Sequence, residues 1–317
     1  MSSSAESTAA AVATIRAGGL SRRFGTHAAV DGIDLELRRG EVLGFLGPNG
    51  AGKTTTMQML TGNLAPTTGS VSICGVDLLE SPVEAKTHIG YLPETPPLYR
   101  DLNVTEYLDL ASRLHRVPKA RRAAAIDLAC QRCGLGDVRR KLIGTLSKGF
   151  QQRVGIAQAI VHEPDVIILD EPTVGLDPNQ IREIRALIRE LGSAHSVILS
   201  THILPEVEAI CDRVQIMHHG KMVYTDAIAG LKQLRRTLVV ELRQPPPIAE
   251  LLAITGVVHA DPAGENLFLV RIAPANDPTE RIVALAGERH WGLRQIGPAQ
   301  TSLEDVFVHL TRRDENE

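Results

Sequence analysis

The chain has 317 residues, of which 43% are hydrophobic and 22% are charged, and its 34 basic and 37 acidic residues give a net charge of −3. At roughly 150 residues per domain, this length predicts about two domains. The hydrophobic content argues against a disordered or fibrous chain. The near balance of charge and the 3% of aromatic residues argue against a nucleic-acid surface that covers the whole chain or stacks single-stranded bases.

No stretch reaches the roughly 18 consecutive apolar residues that a membrane helix needs. Residues 1–19 lack the basic and apolar regions of a secretory signal. We therefore expect a cytoplasmic protein that reaches a membrane only through a partner. Four cysteines are too few for a disulfide framework at this size. Cys130 and Cys133 are interpreted as two thiols one helical turn apart, and Cys74 and Cys211 as core thiols.

The first half of the chain changes from strands to helices. Residues 1–11 are small and polar and predict a flexible tail. The alternation of residues 33–37 predicts a half-buried strand, and the apolar run 42–46 predicts a buried strand that enters a glycine-rich loop. A helix is predicted over residues 53–60. Residues 95–161 are predicted to form a helical subdomain.

The second half alternates strands with helices, which predicts a mainly parallel α/β sheet. The predicted order is strand 166–169, helix 180–191, strand 197–200, helix 205–211 and strand 214–217. The character of the chain changes near residue 230, so one domain is predicted over residues 12–235 and another over 236–317. The second has the element order β-α-β-β-α-β, typical of a ferredoxin-like sandwich, and ends with a capping box formed by Thr301 and Glu304.

A glycine-rich loop carries the strongest chemical signal. Residues 47–54 read GPNGAGKT and match the G-x-x-x-x-G-K-[ST] pattern, with a predicted strand before them and a helix after them. Such a loop turns backbone N–H groups toward phosphates, while Lys53 supplies a positive charge and Thr54 a hydroxyl for Mg²⁺. The predicted nucleotide-binding residues here are Gly47, Pro48, Asn49, Gly50, Ala51, Gly52, Lys53, Thr54 and Thr55.

Three further polar residues follow predicted strands. Asp170 and Glu171 come directly after the apolar run 166–169, and His202 follows the next strand. Because ligands of open α/β sheets bind at the carboxyl ends of the strands, all three are expected near the phosphates. Asp170 is predicted to hold Mg²⁺, Glu171 to polarise the attacking water, and His202 to lie near the γ-phosphate.

A second anion site is predicted at the start of another helix. Ser147 can cap the helix that follows it, and the N-terminus of that helix attracts anions. The glycine-rich loop already serves the chain's own nucleotide. A second phosphate site therefore suggests a nucleotide that is shared between two copies of the chain.

Taken together, these motifs resemble the ATP-binding subunit of ABC transporters over residues 15–230. Residues 47–54 resemble its Walker A loop, 166–170 its Walker B strand, 146–150 its signature, 175–178 its D-loop, and His202 its switch histidine. The segment 301–307 resembles the C-terminal end of type-2 ABC ATPases, and residues 89–94 with the signature resemble the gliding-motility branch. The fold class implied is α/β, a P-loop ABC ATPase domain with a mixed sheet core and helical subdomain, followed by a small α+β domain.

The resemblance also implies roles for individual residues. It places Phe24 against adenine and Glu94 at the position of the family's Q-loop glutamine. The further nucleotide-binding residues implied are Ser147, Gly149, Gln151 and Asp177, and the implied Mg²⁺ ligands are Thr54, Glu94 and Asp170. The signature departs from LSGGQ, because Lys148 and Phe150 stand at its third and fifth positions.

Two functions are compatible with these motifs. The favoured one is an ATPase that acts as a homodimer, with ATP and Mg²⁺, on a separate integral-membrane permease at the cytoplasmic face of the membrane, with export as the expected direction. The alternative is a soluble ABC ATPase acting on nucleic acid or ribosomes. Such proteins usually carry two cassettes or a long coiled-coil insertion, and only 94 residues separate Lys53 from Ser147. A GTPase or kinase would not explain the signature. No nucleic-acid partner is expected.

Overall fold

The computed structural model describes residues 13–228, 237–264, 266–273 and 276–298. The predicted tail over residues 1–11, the predicted capping box of Thr301 and Glu304 and the segment 301–307 lie outside the described residues. The chain divides into two compact units between Thr225 and Asp226. This division falls ten residues before the sequence-based boundary.

Four strands form an antiparallel sheet in the first unit: β1 (Ala13–Phe24), β2 (His27–Arg38), β4 (Thr68–Ile73) and β5 (Val76–Asp77). Their order is β2-β1-β4-β5. The pairing of β1 with β2 shifts register at several points, as it does where a strand is bulged. Those irregularities break the alternation of polar and apolar residues, which is why the sequence predicted only residues 33–37 of this sheet.

A second sheet has the order β10-β9-β3-β8-β7-β6. Its strands are β3 (Val42–Leu46), β6 (Ile89–Leu92), β7 (Val166–Asp170), β8 (Ser196–Thr201), β9 (Arg213–His218) and β10 (Lys221–Ala227). The pairs from β9 to β6 are all parallel. Every residue of β3, β7 and β8 is buried, as expected for central strands of a parallel sheet. The predicted mainly parallel sheet is confirmed.

Helices cover or extend this sheet. They are α1 (Lys53–Leu60), α2 (Pro82–Thr87), α3 (Val104–Leu114), α4 (Lys119–Arg132), α5 (Lys148–Ile160), α6 (Pro178–Gly192) and α7 (Leu204–Ile210). The first turn of α3 is closed by a capping box, in which Asn103 Oδ1 accepts from the Glu106 N–H and Glu106 Oε2 accepts from the Asn103 N–H. Helices α3, α4 and α5 occupy the region predicted to be helical.

One hydrophobic core joins the two sheets of the first unit through α1. It contains Ile15 and Leu37 from the antiparallel sheet, Met57 from α1, and Phe45 and Ile168 from the parallel sheet, all fully buried. The core thus fixes the helix that starts at Lys53 between both sheets. Among the described residues, no helix is long and apolar enough to cross a membrane.

The second unit contains β11 (Thr237–Leu242), α8 (Ile248–Leu252), β12 (Val257–Pro262), β13 (Leu267–Ile272), α9 (Thr279–Glu288) and β14 (Leu293–Pro298). The strands form an antiparallel sheet in the order β12-β13-β11-β14. Its core includes Val240, Val270 and Trp291. The element order is the predicted β-α-β-β-α-β.

Cys74 lies at the border of the core. It was interpreted as a core thiol, and it occupies the turn between β4 and β5, where it is partly buried and packs against the buried core residues. Cys130, Cys133 and Cys211 are buried and unpaired. The apolar run around Cys74 belongs to the end of β4, and the chain reverses at Cys74 and Gly75, both of which have positive φ.

Candidate nucleotide-binding site

A cleft of about 450 Å³ lies where β3, β7 and β8 end. Nine of the predicted site residues line it: Asn49, Gly50, Gly52, Lys53, Thr54, Thr55, Glu94, Glu171 and His202. The other lining residues, His27, Ala29 and Val174, were not predicted. They come from the start of β2 and from the turn after β7, and no sequence pattern marks them because only the folded sheet brings them to this loop.

The glycine-rich loop needs its glycines for two reasons. Gly50 and Gly52 have φ values of 81° and 106°, which side chains of L-residues rarely adopt. A Cβ atom on Gly52 would also overlap the carbonyl oxygen of Ala29, and one on Gly47 would overlap that of Met217. The loop therefore follows a path against β2 and β9, with the Ala51 N–H donating to the carbonyl oxygen of Pro48, and ends at the start of α1, where an anion is favoured.

Lys53, the first residue of α1, is 6% exposed and is held by three oxygen atoms. Its Nζ donates to the carbonyl oxygens of Gly47 at 2.8 Å and Pro48 at 3.2 Å. It also lies 3.3 Å from Oε1 of Glu171. The predicted phosphate-binding cation and the predicted water-activating carboxylate thus meet in the same cleft.

Glu171, which follows β7, contacts Lys53 on the helix after β3 and two residues on or just after β8. Its second carboxylate oxygen, Oε2, accepts from Nδ1 of His202 at 2.9 Å, because a carboxylate can only accept and the imidazole nitrogen must carry the proton. Its backbone N–H donates to the carbonyl oxygen of Ser200 on β8. Its φ of 49° is unusual for a residue other than glycine. This turn directs the buried side chain toward Lys53, on the helix that follows β3.

Asp170, the last residue of β7, has the properties of a metal ligand. It is fully buried, and its Oδ1 accepts from the hydroxyl of Ser200 at 2.7 Å. Its Oδ2 is buried and has no hydrogen-bond partner within the described part of the chain. A buried carboxylate oxygen without a partner is costly unless a cation or water satisfies it. Thr54 and Glu94 line the cleft, while Asp170 is not among its lining residues. The hydroxyl and carboxylate oxygens of these three residues are of the type that Mg²⁺ prefers, and their role as its ligands stays a prediction.

The signature segment lies outside the cleft lining. Ser147 caps α5 by accepting from the Phe150 N–H at 3.4 Å. Gly149 is buried, and a Cβ atom there would come within 2.6 Å of Gln180 Cδ on α6. Gln151 uses its amide nitrogen to donate to the carbonyl oxygens of Ile143 and Leu146. The start of α5 is thus a rigid, partly exposed turn that packs against α6.

Five other predicted nucleotide-binding residues are also outside the cleft lining: Phe24, Gly47, Pro48, Ala51 and Asp177. Phe24 ends β1, is 49% exposed, and has the guanidinium of Arg22 4.8 Å from its ring centre. Asp177 caps α6 by accepting from the N–H groups of Asn179 and Gln180. Their roles toward nucleotide stay predictions.

Ser200 is a further residue near the site that the sequence did not predict. Its hydroxyl holds Asp170 and its carbonyl oxygen holds the Glu171 backbone. The sequence showed it only as the last residue of an apolar strand. No sequence signal marks it, because the register that places it opposite Asp170 on the neighbouring parallel strand is set only in the folded sheet.

Comparison with known proteins agrees with this geometry. The family model described as "ABC transporter" matches residues 30–174, and a model described as "AAA domain, putative AbiEii toxin, Type IV TA system" matches residues 142–207. The bacitracin transport ATP-binding protein BcrA of Bacillus licheniformis is 34% identical over 92% of this chain and 95% of its own length. The Nod factor export ATP-binding protein I of Burkholderia orbicola is 34% identical over 96% and 98%. The daunorubicin resistance ATP-binding protein DrrA3 of Streptomyces coeruleorubidus is 32% identical over 93% and 95%.

Comparison with solved structures finds the same fold in other ABC transporter proteins. A structure titled "Structure of ATP binding subunit of ABC transporter" is 31% identical, with a TM-score of 0.63 over 70% of this chain and 92% of that chain. The dimeric cassette MJ0796 has a TM-score of 0.62 over 68% and 98% at 22% identity, which supports the fold alone. The relatives match nearly the full length, and the phosphate loop, the acidic pair and the histidine converge as this class of ATPase requires. The chain therefore belongs to the ATP-binding subunits of ABC transporters and is an ABC-type ATPase.

Proposed function

We propose that this chain, as a homodimer, binds ATP with Mg²⁺ in the cleft and couples its hydrolysis to export by a separate integral-membrane permease. The observation that carries the proposal is the convergence on Glu171, whose two carboxylate oxygens face Lys53 at 3.3 Å and His202 at 2.9 Å. Phosphoryl transfer to water needs a cation at the phosphates and an oriented base beside them. One buried carboxylate here contacts both a cation and a histidine.

Lys53 and the loop backbone would hold the phosphates of ATP. Without nucleotide, the Lys53 ammonium is satisfied by two loop carbonyl groups and by Glu171. When phosphate oxygens are present, they replace Glu171 as the anionic partner, which frees that carboxylate to accept a proton from water. His202 then keeps Glu171 oriented through the hydrogen bond from Nδ1.

The metal would be held by Asp170, Thr54 and Glu94, with Ser200 fixing Asp170 through its hydroxyl. When bound, Mg²⁺ supplies positive charge that neutralises the β- and γ-phosphates. Glu94 is exposed at the mouth of the cleft, so it is suited to contact the metal through water. Asp170, which is fully buried, is suited to hold it on the sheet side.

The dimer is proposed because the cleft of one chain lacks its signature residues. Ser147 is exposed at the N-terminus of α5, where an anion is favoured, and no signature residue lines the cleft of the same chain. A second copy could bring Ser147, Gly149, Gln151 and Asp177 to the nucleotide. The dimeric MJ0796 cassette is a precedent on the same fold.

The permease and the direction of transport are proposed from the relatives. The names of three of them specify transport of bacitracin, export of Nod factor and resistance to daunorubicin, and each name calls its protein the ATP-binding one. We propose that this chain likewise docks at the cytoplasmic face of a permease that exports its substrate. Assignment to the gliding-motility branch remains a prediction.

Two substitutions test the ATPase site in the purified full-length chain. Lys53→Ala should abolish tight binding of a fluorescent ATP analogue, because the phosphates lose their cation. Glu171→Gln should retain binding but lose at least about 100-fold in turnover, as is typical when a general base is removed. Glu163→Gln, which alters an exposed pair with Arg121, is the matched control and should keep both activities. Wild-type turnover in Glu171→Gln would refute the proposed role.

The dimer and the permease need separate experiments. With ATP, Glu171→Gln should elute as a dimer on size-exclusion chromatography, and the added substitution Ser147→Arg should return it to a monomer by blocking the anion site. For the permease, the chain should be co-purified with an affinity-tagged membrane protein encoded beside it. A monomer under all nucleotide conditions would refute the shared site without affecting the binding results for Lys53.

A further inference from the structure

Three side chains of the types that bind metals lie close together at the end of the parallel sheet that is opposite to the cleft. His88 directly precedes β6 and Asp165 directly precedes β7, and these strands pair in parallel with Ile89 opposite Val166. Cys74 comes from the turn between β4 and β5. The ligand atoms of all three lie within 4.8 Å of one another. Residues distant in sequence are thus brought together by the pairing of β6 with β7 and by the antiparallel sheet.

We propose that Cys74, His88 and Asp165 form a Zn²⁺ site that joins the antiparallel sheet to the parallel sheet. A thiolate, an imidazole and a carboxylate are the ligand types that tetrahedral zinc takes, whereas Mg²⁺ and Ca²⁺ prefer oxygen alone. Three protein ligands leave the fourth position to water. A thiolate and a carboxylate also match the two positive charges of the ion.

The geometry of the three side chains suits an ion that enters from solvent. His88 Nδ1 and Asp165 Oδ2 are 2.7 Å apart, and their side chains are 31% and 46% exposed. Cys74 is partly buried. The thiol is therefore held beside an exposed pair rather than sealed in the core, and a hydrated metal can reach all three atoms without the sheets opening.

Binding requires one proton to leave. The thiol of Cys74 would give up its proton, because zinc takes the thiolate. Zinc would replace that proton, which passes to solvent. A ring nitrogen of His88 would offer its lone pair to the metal, since a metal is bound by the neutral imidazole.

The backbone at Cys74 offers a second reason to look for a role there. Its φ is 51° and that of the following Gly75 is 86°. Two-residue hairpin turns with two positive φ values favour Asn-Gly or Asp-Gly. A cysteine at the first position is therefore held in a conformation that asparagine adopts at lower cost, and the zinc ligand provides a use for it.

The proposed zinc site is distinct from the nucleotide cleft. His88 and Asp165 lie at the start of β6 and β7, whereas Glu94 and Glu171 follow the ends of the same strands. The five residues of β7, at about 3.3 Å each, separate the two ends by about 16 Å. Zinc at Cys74 would thus add stability to the junction of the sheets without contacting ATP.

Cobalt, which replaces zinc and reports thiolate ligation by a charge-transfer absorption band, is the probe for the first test. It is titrated into the full-length chain after treatment with a chelator and under a reductant that is not a thiol. One equivalent of Co²⁺ should produce the band, and Zn²⁺ should remove it. Cys74→Ser should abolish the band, and His88→Gln and Asp165→Asn should each weaken Co²⁺ binding by at least about tenfold.

Control variants separate this site from other thiols and acids. Cys130→Ala removes a buried thiol of the CxxC pair, and Glu163→Gln removes an acid near Asp165. Both should keep the cobalt band. A band that survives Cys74→Ser and disappears in Cys130→Ala would overturn the proposal, and so would a wild-type chain that gives no band at all.

Thermal unfolding gives a second, independent readout. One equivalent of Zn²⁺ should raise the Tm of the wild-type chain, because a ligand that binds only the folded state stabilises it. Cys74→Asn suits the turn and should fold at least as well without metal, but it should show no rise with zinc. An equal rise in wild type and Cys74→Asn would place the metal elsewhere and overturn the assignment.

Discussion

The buried carboxylate of Glu206, the third residue of α7, should be essential to the position of His202, the histidine proposed to orient Glu171. Glu206 has no exposed surface. Its Oε2 accepts from the Thr201 hydroxyl at 2.9 Å, and that hydroxyl in turn accepts from the Ile203 N–H at 3.0 Å. Its Oε1 lies 3.5 Å from Arg185 on α6. Glu206 thus fixes the residues on either side of His202.

The expected cost of Glu206→Ala follows from these partners. Removing one member of a buried ion pair costs about 3–5 kcal/mol. Arg185 keeps 24% of its side chain exposed, so water relieves part of that cost. The Thr201 hydroxyl also loses its acceptor, which costs about 1–3 kcal/mol, and the two terms overlap. We expect a loss of about 3 kcal/mol and, at 2–4 °C per kcal/mol for a unit of this size, a Tm lower by about 6–12 °C.

Far-UV circular dichroism is the suitable probe of this unfolding. The only tryptophan, Trp291, lies in the second unit and does not report on α7. Steady-state ATPase assays should show a lower kcat with KM nearly unchanged, because Lys53 and the loop still bind nucleotide. Glu206→Gln should fall between the wild type and Glu206→Ala, since its amide oxygen can still accept from Thr201.

An exposed ion pair provides the control for Glu206. Glu163→Ala removes the pair with Arg121, both members of which are substantially exposed, and should change stability by less than about 1 kcal/mol. A Glu206→Ala protein that melts within about 2 °C of the wild type and has the wild-type kcat would refute the reasoning.

Further expectations concern the metal, the sheet and acid stability. Asp170→Asn should weaken Mg²⁺-dependent hydrolysis by at least about 100-fold, on the scale of losing a metal ligand, while binding of ATP analogues in EDTA is retained. Glu94→Gln should leave ATP affinity nearly unchanged but shift the Mg²⁺ concentration for half-maximal hydrolysis, and superimposable titrations would exclude a metal contact. Gly90→Ala should destabilise the chain by about 3 kcal/mol or more in urea unfolding, because the new Cβ would overlap the carbonyl oxygen of Ala159, which is backbone of α5 and cannot move alone. Burial, followed by the nearby His115, lowers the pKa of His162 to about 3. The unfolded chain therefore binds a proton below pH 6.5 that the folded chain does not, and stability should fall with decreasing pH by about 1.4 kcal/mol per unit from this group. In His162→Gln that part of the slope should be absent when urea midpoints are compared at pH 7 and pH 5.

Local sequence determines the central elements of this fold well. The strand Val42–Leu46 and the helix Lys53–Leu60 have the predicted limits, because a wholly apolar run and a glycine-rich loop leave few alternatives. β1 was missed because its register shifts hide the alternation of its side chains. α2 was missed because it has only six residues, too few for a helical period to be recognised.

The residues of the site likewise divide into those that the sequence predicts and those that it does not. Lys53 and Asp170 follow from motifs in which the spacing along the chain carries the chemistry. Ser200 and Glu206 do not, because each acts through a partner that only the packing of β8 against β7 and of α7 against α6 brings near. Their hydroxyl and carboxylate groups look ordinary in the sequence. Burial gives them their importance, and burial is a property of the folded chain.

The left-handed backbone of Glu171 has a consequence for how this position can evolve. A residue other than glycine at a φ of 49° carries a conformational cost on the order of 1–3 kcal/mol. Glycine and asparagine adopt this conformation more easily, yet neither can serve as the base. Under the proposed role of Glu171 as the base, turnover and stability favour different residues at this position. In a lineage that kept ATP binding but abandoned hydrolysis, we expect glycine or asparagine to replace this glutamate early.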